Sequence, residues 1–240
     1  GFSYGVNFEY LEDLNFGIAN RNMYETIDVG SNASANQKKM AGDYFDSFLA
    51  LAFGYDKRNQ RYETTDGFFS NYNVDLPLIS DTKTFNNSYR YKTFSELYEN
   101  NVSTFSFMIN SSNSITNKNI KLSERLFVPA KSLRGFESGK IGPKDGDDYI
   151  GGNYVSAINI TSTIPTLTEN LQNIDLALFL DVANIWGVDY DASLDTNNDV
   201  RSAVGVGLDW LTPIGPMSFS LAAPITKNTT DKTESFRFNI

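Results

Sequence analysis

Between residues 174 and 182 the chain alternates without a break. Ile174, Leu176, Leu178, Leu180 and Val182 fall on one parity, and Asp175, Ala177, Phe179 and Asp181 on the other. Successive side chains of a strand point to opposite faces, so this segment has one purely aliphatic face and one that carries two carboxylates. The pattern returns downstream. Val200, Ser202, Val204, Val206, Leu208 and Trp210 oppose Arg201, Ala203, Gly205, Gly207 and Asp209, and Phe236, Phe238 and Ile240 oppose Ser235, Arg237 and Asn239.

A water-soluble β-sandwich alternates too, so alternation alone does not place the sheet in a membrane. Two details point that way. The polar faces hold charges and glycines instead of the mixed small polar residues of a solvated sheet. The connections also differ sharply in length, as short periplasmic turns and long external loops do. The alternation predicts about eleven strands, near residues 2–12, 14–27, 44–56, 67–78, 85–98, 102–111, 153–165, 173–185, 200–211, 216–225 and 233–240. Short links fall at 12–13, 60–66, 99–101, 166–172 and 212–215. The opposite set falls at 28–43, 79–84, 112–152, 186–199 and 226–232, and 79–84 joins it only by its place in the order. Residues 34–40 are expected to form at most a turn of helix.

Composition removes several alternatives. With neither Cys nor His in the chain, disulfide frameworks, zinc sites and His-based acid/base catalysis are excluded. A net charge of −9 argues against nucleic acid as a partner, because phosphate contacts need clustered Lys and Arg. The basic residues stand singly and read as solvated surface. No apolar run approaches the ~18–20 residues of a transmembrane helix, but a barrel strand needs only ~9–11 residues with every second one apolar. No nucleophile–base pair, metal constellation or phosphate loop is visible. The expectation is therefore a chain without enzymatic activity, cofactor or metal.

The link 112–152 is the oddest segment. Loops longer than ~12–15 residues without secondary structure are uncommon and usually functional or disordered. This one carries Leu126, Phe127 and Val128, then Leu133, Arg134, Gly135 and Phe136, then Ile141, Gly142 and Pro143, and ends on Gly151 and Gly152. Apolar side chains at that density need something to pack against. In order and spacing these residues resemble the inward-folded loop of the BamA-like family of outer-membrane proteins, also called the bacterial surface antigen family, whose hallmark is Arg-Gly-Phe/Tyr. Phe179 to Val182 resembles that family's strand with an inward Asp. Gly207 to Pro216 resembles the turn before its penultimate strand, and Phe219 to Pro224 and Phe236 to Ile240 resemble its last two strands. The resemblance covers roughly residues 125–240; upstream it rests on strand rhythm and on Thr65, Asp66 and Gly67.

The resemblance implies a fold and a function. The fold is an all-β, antiparallel up-and-down transmembrane barrel with a long inserted loop, residues 1–240 forming its C-terminal portion. By the sixteen-strand plan of the family, the first five strands and the periplasmic POTRA repeats would lie upstream. Open strand edges are not tolerated by lipid, so this segment is not expected to form a stable barrel alone. The implied function is insertion of nascent outer-membrane barrel proteins, at a weak seam between first and last strands; Phe236, Phe238 and Ile240 would lie on one side of that seam. Partners would be those nascent proteins, accessory assembly lipoproteins and outer-membrane lipid. A translocation pore for a secreted partner or an autotransporter-assembly homologue stands as the alternative within the family, and a passive porin or adhesin outside it.

Residue by residue, Arg134 is the leading candidate. Its planar fork suits a carboxylate, and Asp181 faces inward by parity, so the pair is expected to pin the loop to the wall. Gly135 would permit a close turn and Phe136 would pack beneath the loop. Two departures from the family stand out. Thr161 occupies an inward position where relatives often carry an acid, and the chain stops at Ile240 where the family usually continues with Gly and a final aromatic. Asp189, Asp191, Asp195, Asn197 and Asp199 begin like a calcium loop but lack its turn Gly and distal Glu, and read as a solvated acidic loop. Gly205 and Gly207 are expected to make room for the inserted loop, and Trp186 and Trp210 to mark membrane interfaces.

Overall fold

The computed structural model of the protein describes residues 1–165, 173–194, 198–213 and 215–239. Its main sheet holds eleven antiparallel strands: β1 (Phe2–Leu11), β2 (Leu14–Ile27), β3 (Gly42–Asp56), β4 (Gly67–Ser80), β5 (Thr84–Ser95), β6 (Ser103–Ser114), β9 (Tyr154–Thr163), β10 (Ile174–Trp186), β11 (Arg201–Thr212), β12 (Gly215–Thr226) and β13 (Phe236–Asn239). Neighbours in the sheet follow chain order, β6 pairing directly with β9. The up-and-down meander expected from the alternation is therefore present. Between β6 and β9 the chain leaves the wall, and there β7 (Lys144–Asp145) and β8 (Asp148–Tyr149) make a small separate hairpin.

Local chemistry accounts for the irregular points. Asp13 closes the tight β1–β2 turn with φ 66°. Pro77 and Pro224 lack the amide that a central strand would use, and both sit at register shifts, where Phe48 pairs with Pro77 and Ala203 with Pro224. The helical turn expected near 34–40 is α1 (Ala35–Lys38). Ser34 and Gln37 form a reciprocal capping box there, with Gln37 N donating to Ser34 Oγ at 3.1 Å and Ser34 N to Gln37 Oε1 at 2.9 Å. Strand bounds move by up to about three residues from those expected, and one of these shifts has a tertiary cause. The last strand begins at Phe236 instead of 233, because Thr233 pairs with Phe136 of the long loop and draws the chain off the wall. Ile240, the short link at 166–172, Asp195, Asn197 and residue 214 lie outside the described residues.

Which face meets what decides between sandwich and membrane sheet. In a sandwich the aliphatic face would be covered. Here Leu178 is 52% exposed and Leu221 61%, and Ile158, Ile160, Val204, Val206 and Phe238 join them on the outside. Contiguous exposed apolar surface of this extent marks an interaction surface, and along strands of this length it is the lipid-facing band of a barrel wall. Rings reinforce it across neighbouring strands. Phe8, Phe16 and Phe53 meet at centroid distances of 5.4 and 5.0 Å, and Phe219 stacks on Phe238 at 4.9 Å. Trp210 is exposed near the short-turn end of β11, and Trp186 stacks on Tyr154 at the opposite rim. No helix among the described residues is long and apolar enough to cross a membrane.

The buried core lies on the other face. Met108, Val155, Ala157, Ala183, Ile185 and Ala203 point inward from β6, β9, β10 and β11 and pack against Val128, Leu133, Phe136 and Ile141 of the loop. Leu178→Arg places a charge on the outer face near the middle of β10 and is expected to cost ~2–4 kcal/mol of folding stability in a bilayer. Urea titration of the full-length protein in liposomes checks this; an unchanged midpoint would mean that this face does not meet lipid.

Candidate functional site

The long loop returns on itself before it reaches the wall. Leu126 and Gly152 exchange main-chain hydrogen bonds of 2.8 and 3.0 Å, closing its base, and its β7–β8 tip is held by Ser34 Oγ on Asp145 and Gln37 Nε2 on Asp148 (3.3 Å). Between base and tip lie the motif residues. Leu133 and Phe136 are buried in the core, as are Ile141, Gly142 and Pro143. Gly142 has φ +92° and lies so close to the wall that a Cβ would stand 2.6 Å from Ile185 Cγ2. At Gly135, φ +90°, a Cβ would press on the methyls of Ala203 and Ala222 at 3.1 and 3.2 Å. Both positions thus combine a left-handed backbone with close approach, which glycine alone accommodates.

Arg134 lies against the wall of β10. Its Nε and Nη2 donate to the two oxygens of Asp181 at 2.7 and 2.8 Å, and its main-chain N donates to the same carboxylate at 3.0 Å. Asp181 is fully buried, and Asn159 Nδ2 completes its shell at 2.8 Å while also holding Ser132 O at 2.9 Å. The guanidinium carbon sits 3.4 Å from the centroid of the Phe179 ring, a cation–π contact. Thr161, where relatives often carry an acid, presents its hydroxyl 3.5 Å from Arg134 Nη2. Of the two strand glycines expected to make room, Gly205 is the one the space requires. A Cβ at Gly205 would strike Phe179 Cζ at 2.5 Å, whereas one at Gly207 would make only ordinary contact, 3.7 Å from Arg134 Nη1. In this way β9, β10 and β11 together form one socket for the motif.

Reading the basic residues as solvated surface is the main point the structure corrects. Lys121, Arg125, Arg201 and Arg237 are all buried. Lys121 Nζ donates to Glu25 of β2 and to the fully buried Asp46 of β3, with Glu124 3.9 Å away. Burial opposes the ammonium charge, but the bonds to Asp46 and Glu25 outweigh it and hold the pKa above its ordinary 10.5. Burial pushes the Glu124 carboxyl up, against a 2.6 Å hydrogen bond from Thr84 and the Lys121 charge. Arg125 pairs with Asp189, which also accepts from Ile120 N at 2.8 Å, while Asp191 accepts from Ser193 and Asp199 from Asn228. The described members of the acidic run thus fasten local structure. Arg201 grips Asp231 through Nε and Nη2 at 3.0 and 3.1 Å. Parity already placed Arg201 and Arg237 on inward faces, where a cation needs a partner; for Lys121 the sequence carried no signal.

The motif also touches the last strand. Glu234 N donates to Gly135 O at 3.1 Å, Glu137 N to Lys232 O at 3.0 Å and Lys232 N to Lys140 O at 3.0 Å. Phe236 and Phe238 point outward, while Arg237 points inward.

A membrane-spanning antiparallel wall, greasy outside and packed inside against a loop held by buried ion pairs, defines an outer-membrane β-barrel with an occupied lumen. The chain belongs to the Omp85 superfamily, whose domain matches residues 1–240. It is 29% identical over 136 residues to the outer membrane protein assembly factor BamA of Neisseria meningitidis serogroup B, covering 45% of this chain and 17% of that protein. To the BamA of Neorickettsia risticii it is 22% identical over 242 residues, covering 98% of this chain and 32% of that protein. The crystal structure of BamA from Haemophilus ducreyi lacking POTRA domains 1–3 superposes with a TM-score of 0.86 at 24% identity, over 98% of this chain and 52% of that one. The chain therefore spans a third or less of the length of these two curated relatives.

Lys121→Met leaves Asp46 and Glu25 without their cation and is expected to loosen the loop by ~3–5 kcal/mol, the cost of stranding a buried charge. Proteolysis within 115–125 is the readout. The sign with pH follows from the raised pKa. The Lys121 contribution is full below the ordinary value of 10.5 and is lost as pH rises through the higher folded value. Loop protection in the wild type should therefore fall at alkaline pH by a step that the variant lacks.

Proposed function

We propose that this chain is part of the barrel of an assembly factor that folds nascent β-barrel proteins and inserts them into the outer membrane. What supports the reading is the superfamily membership, the assembly-factor names of the relatives, and one feature of the wall. Beyond Leu221 the pairing of β12 with β13 ends after one further bond, from Ala222 N to Ser235 O at 2.9 Å, whereas β11 stays paired with β12 as far as Thr226. The chain at 232–234 lies on the loop instead, which leaves the outer end of β12 without a last-strand neighbour among the described residues.

In this reading the last strand, whose approach leaves β12 at the outer end, forms one side of a seam. An incoming strand adds to the exposed main-chain edge, whose hydrogen bonds template it without regard to most side chains. Specific loss of the edge is avoided because lipid tolerates no unpaired strand, so each client strand gains by completing the wall. The mechanism has no covalent step and asks no cofactor. The loop, fastened by Arg134 to Asp181, stiffens the β9–β11 side so that opening concentrates at the seam. Nascent barrel proteins, accessory lipoproteins and outer-membrane lipid are the proposed partners, and periplasmic repeats upstream of this barrel segment would deliver the clients.

The test times the folding of an unrelated denatured barrel protein in liposomes of outer-membrane-like lipid with the full-length protein. Wild type is expected to accelerate folding, and Arg134→Ala, once shown to be folded, to lose about tenfold of that rate, equivalent to ~1.4 kcal/mol. Steady ion conductance with no acceleration of any client would reject the assembly reading in favour of a pore.

A further inference from the structure

Arg237 is inward-facing and 8% exposed, and it bonds to three separate pieces of chain at once. Its Nη1 donates to the carbonyl of Ala130, just before the motif, and its Nη2 to the carbonyl of Phe136, within the motif. Its Nε and Nη2 also reach Glu234 Oε2 at 3.1 and 2.9 Å. Alongside runs the strip of main-chain bonds between 135–140 and 232–234. The approach to that strip is itself anchored. Asp231 is held by Arg201 of β11 and accepts from Asn228 N at 2.7 Å, which fixes the turn from which the strip departs.

We infer that Arg237 is a positioning residue that latches the outer end of the last strand to the inserted loop, so that the motif and the seam move as one unit. The inference rests on the seam reading proposed above. The chemistry singles out arginine. Only a guanidinium offers enough donors in one plane to serve two carbonyls and a carboxylate together; a lysine at this position would keep the Glu234 pair and lose the simultaneous reach. The strip beside it is strand-like, so it competes for the main chain of 232–234 that would otherwise pair along the outer end of β12. With the latch closed, residues 232–234 stay on the loop and the pairing with β12 ends at Ser235. With it open, residues 232–234 are free to extend the wall or to yield to a client strand. The loop thereby sets how readily the seam opens, and Arg237 is the side chain through which it does so.

Two measurements on the full-length protein in liposomes test this. In the first, hydrogen exchange is compared between wild type, Arg237→Lys and Arg237→Ala. The expected result is at least tenfold faster exchange confined to 134–140 and 232–239 in Arg237→Ala, with Arg237→Lys between; unchanged exchange there would overturn the latch whatever the protein does. The second uses Glu137→Cys with Lys232→Cys. These exposed residues face each other across the strip, residues 1–240 hold no cysteine, and any cysteine elsewhere in the full-length protein is changed to serine, so oxidation closes the latch covalently. Client folding should stop on oxidation and return on reduction, without any need for the Arg237 variants to fold. Full activity of the oxidised protein would overturn the gating role. Wild type that accelerates no client, together with the localised exchange result, would reject the assembly reading and leave the latch standing.

Discussion

A strand that faces lipid on one side has no use for apolar side chains on the other unless something apolar comes to meet them. The 115–152 loop is that something. Ala157, Ala183, Ala203 and Ile185 face into the barrel, and Leu133, Phe136 and Ile141 fill the space in front of them. The arrangement inverts a globular protein. The large aliphatic residues lie outside against lipid, and a compact core lies inside, between wall and loop. Every other feature of the site depends on this close approach, because the small residues of β9–β12 bring the loop backbone near enough for its arginine and its carbonyls to reach the wall.

Charges then orient what the apolar contact merely holds. A methyl-to-methyl interface tolerates sliding; a two-pronged guanidinium on a buried carboxylate does not. Arg134 on Asp181, Lys121 between Asp46 and Glu25, and Arg201 on Asp231 attach the loop and the neighbouring turn to four different strands. Such pairs do not stabilise much relative to an apolar alternative, since both ions are desolvated. Their effect is registry, because breaking one strands a charge. The loop thus has a single seat, and the last strand, bonded to the loop through Arg237, inherits that position.

Much of this was legible from the chain. The parity of residues 174–182 and 200–210 placed Asp181, Gly205 and Gly207 on the inner face correctly, because a strand's two-residue period admits no other assignment once one face is aliphatic. The motif Leu133–Phe136 stood out because its apolar density was wrong for a solvated loop. The buried Lys121 was not legible, since its partners Glu25 and Asp46 lie 96 and 75 residues away and carry no pattern of their own. Nor was the short β13. Nothing local sets Thr233 and Glu234 apart from the strand that follows, and only the competing edge at Gly135 and Phe136 takes them off the wall.

What the sequence determined by itself is therefore the set of strands, their two faces and the existence of a packed inner loop, all of which follow from local periodicity and from the cost of leaving apolar or main-chain groups unmatched. What only the tertiary structure decided is which charges meet and where the last strand stops pairing. Those outcomes depend on distances between segments far apart in the chain. Local alternation fixes which way a side chain points but carries no information about what will be standing there.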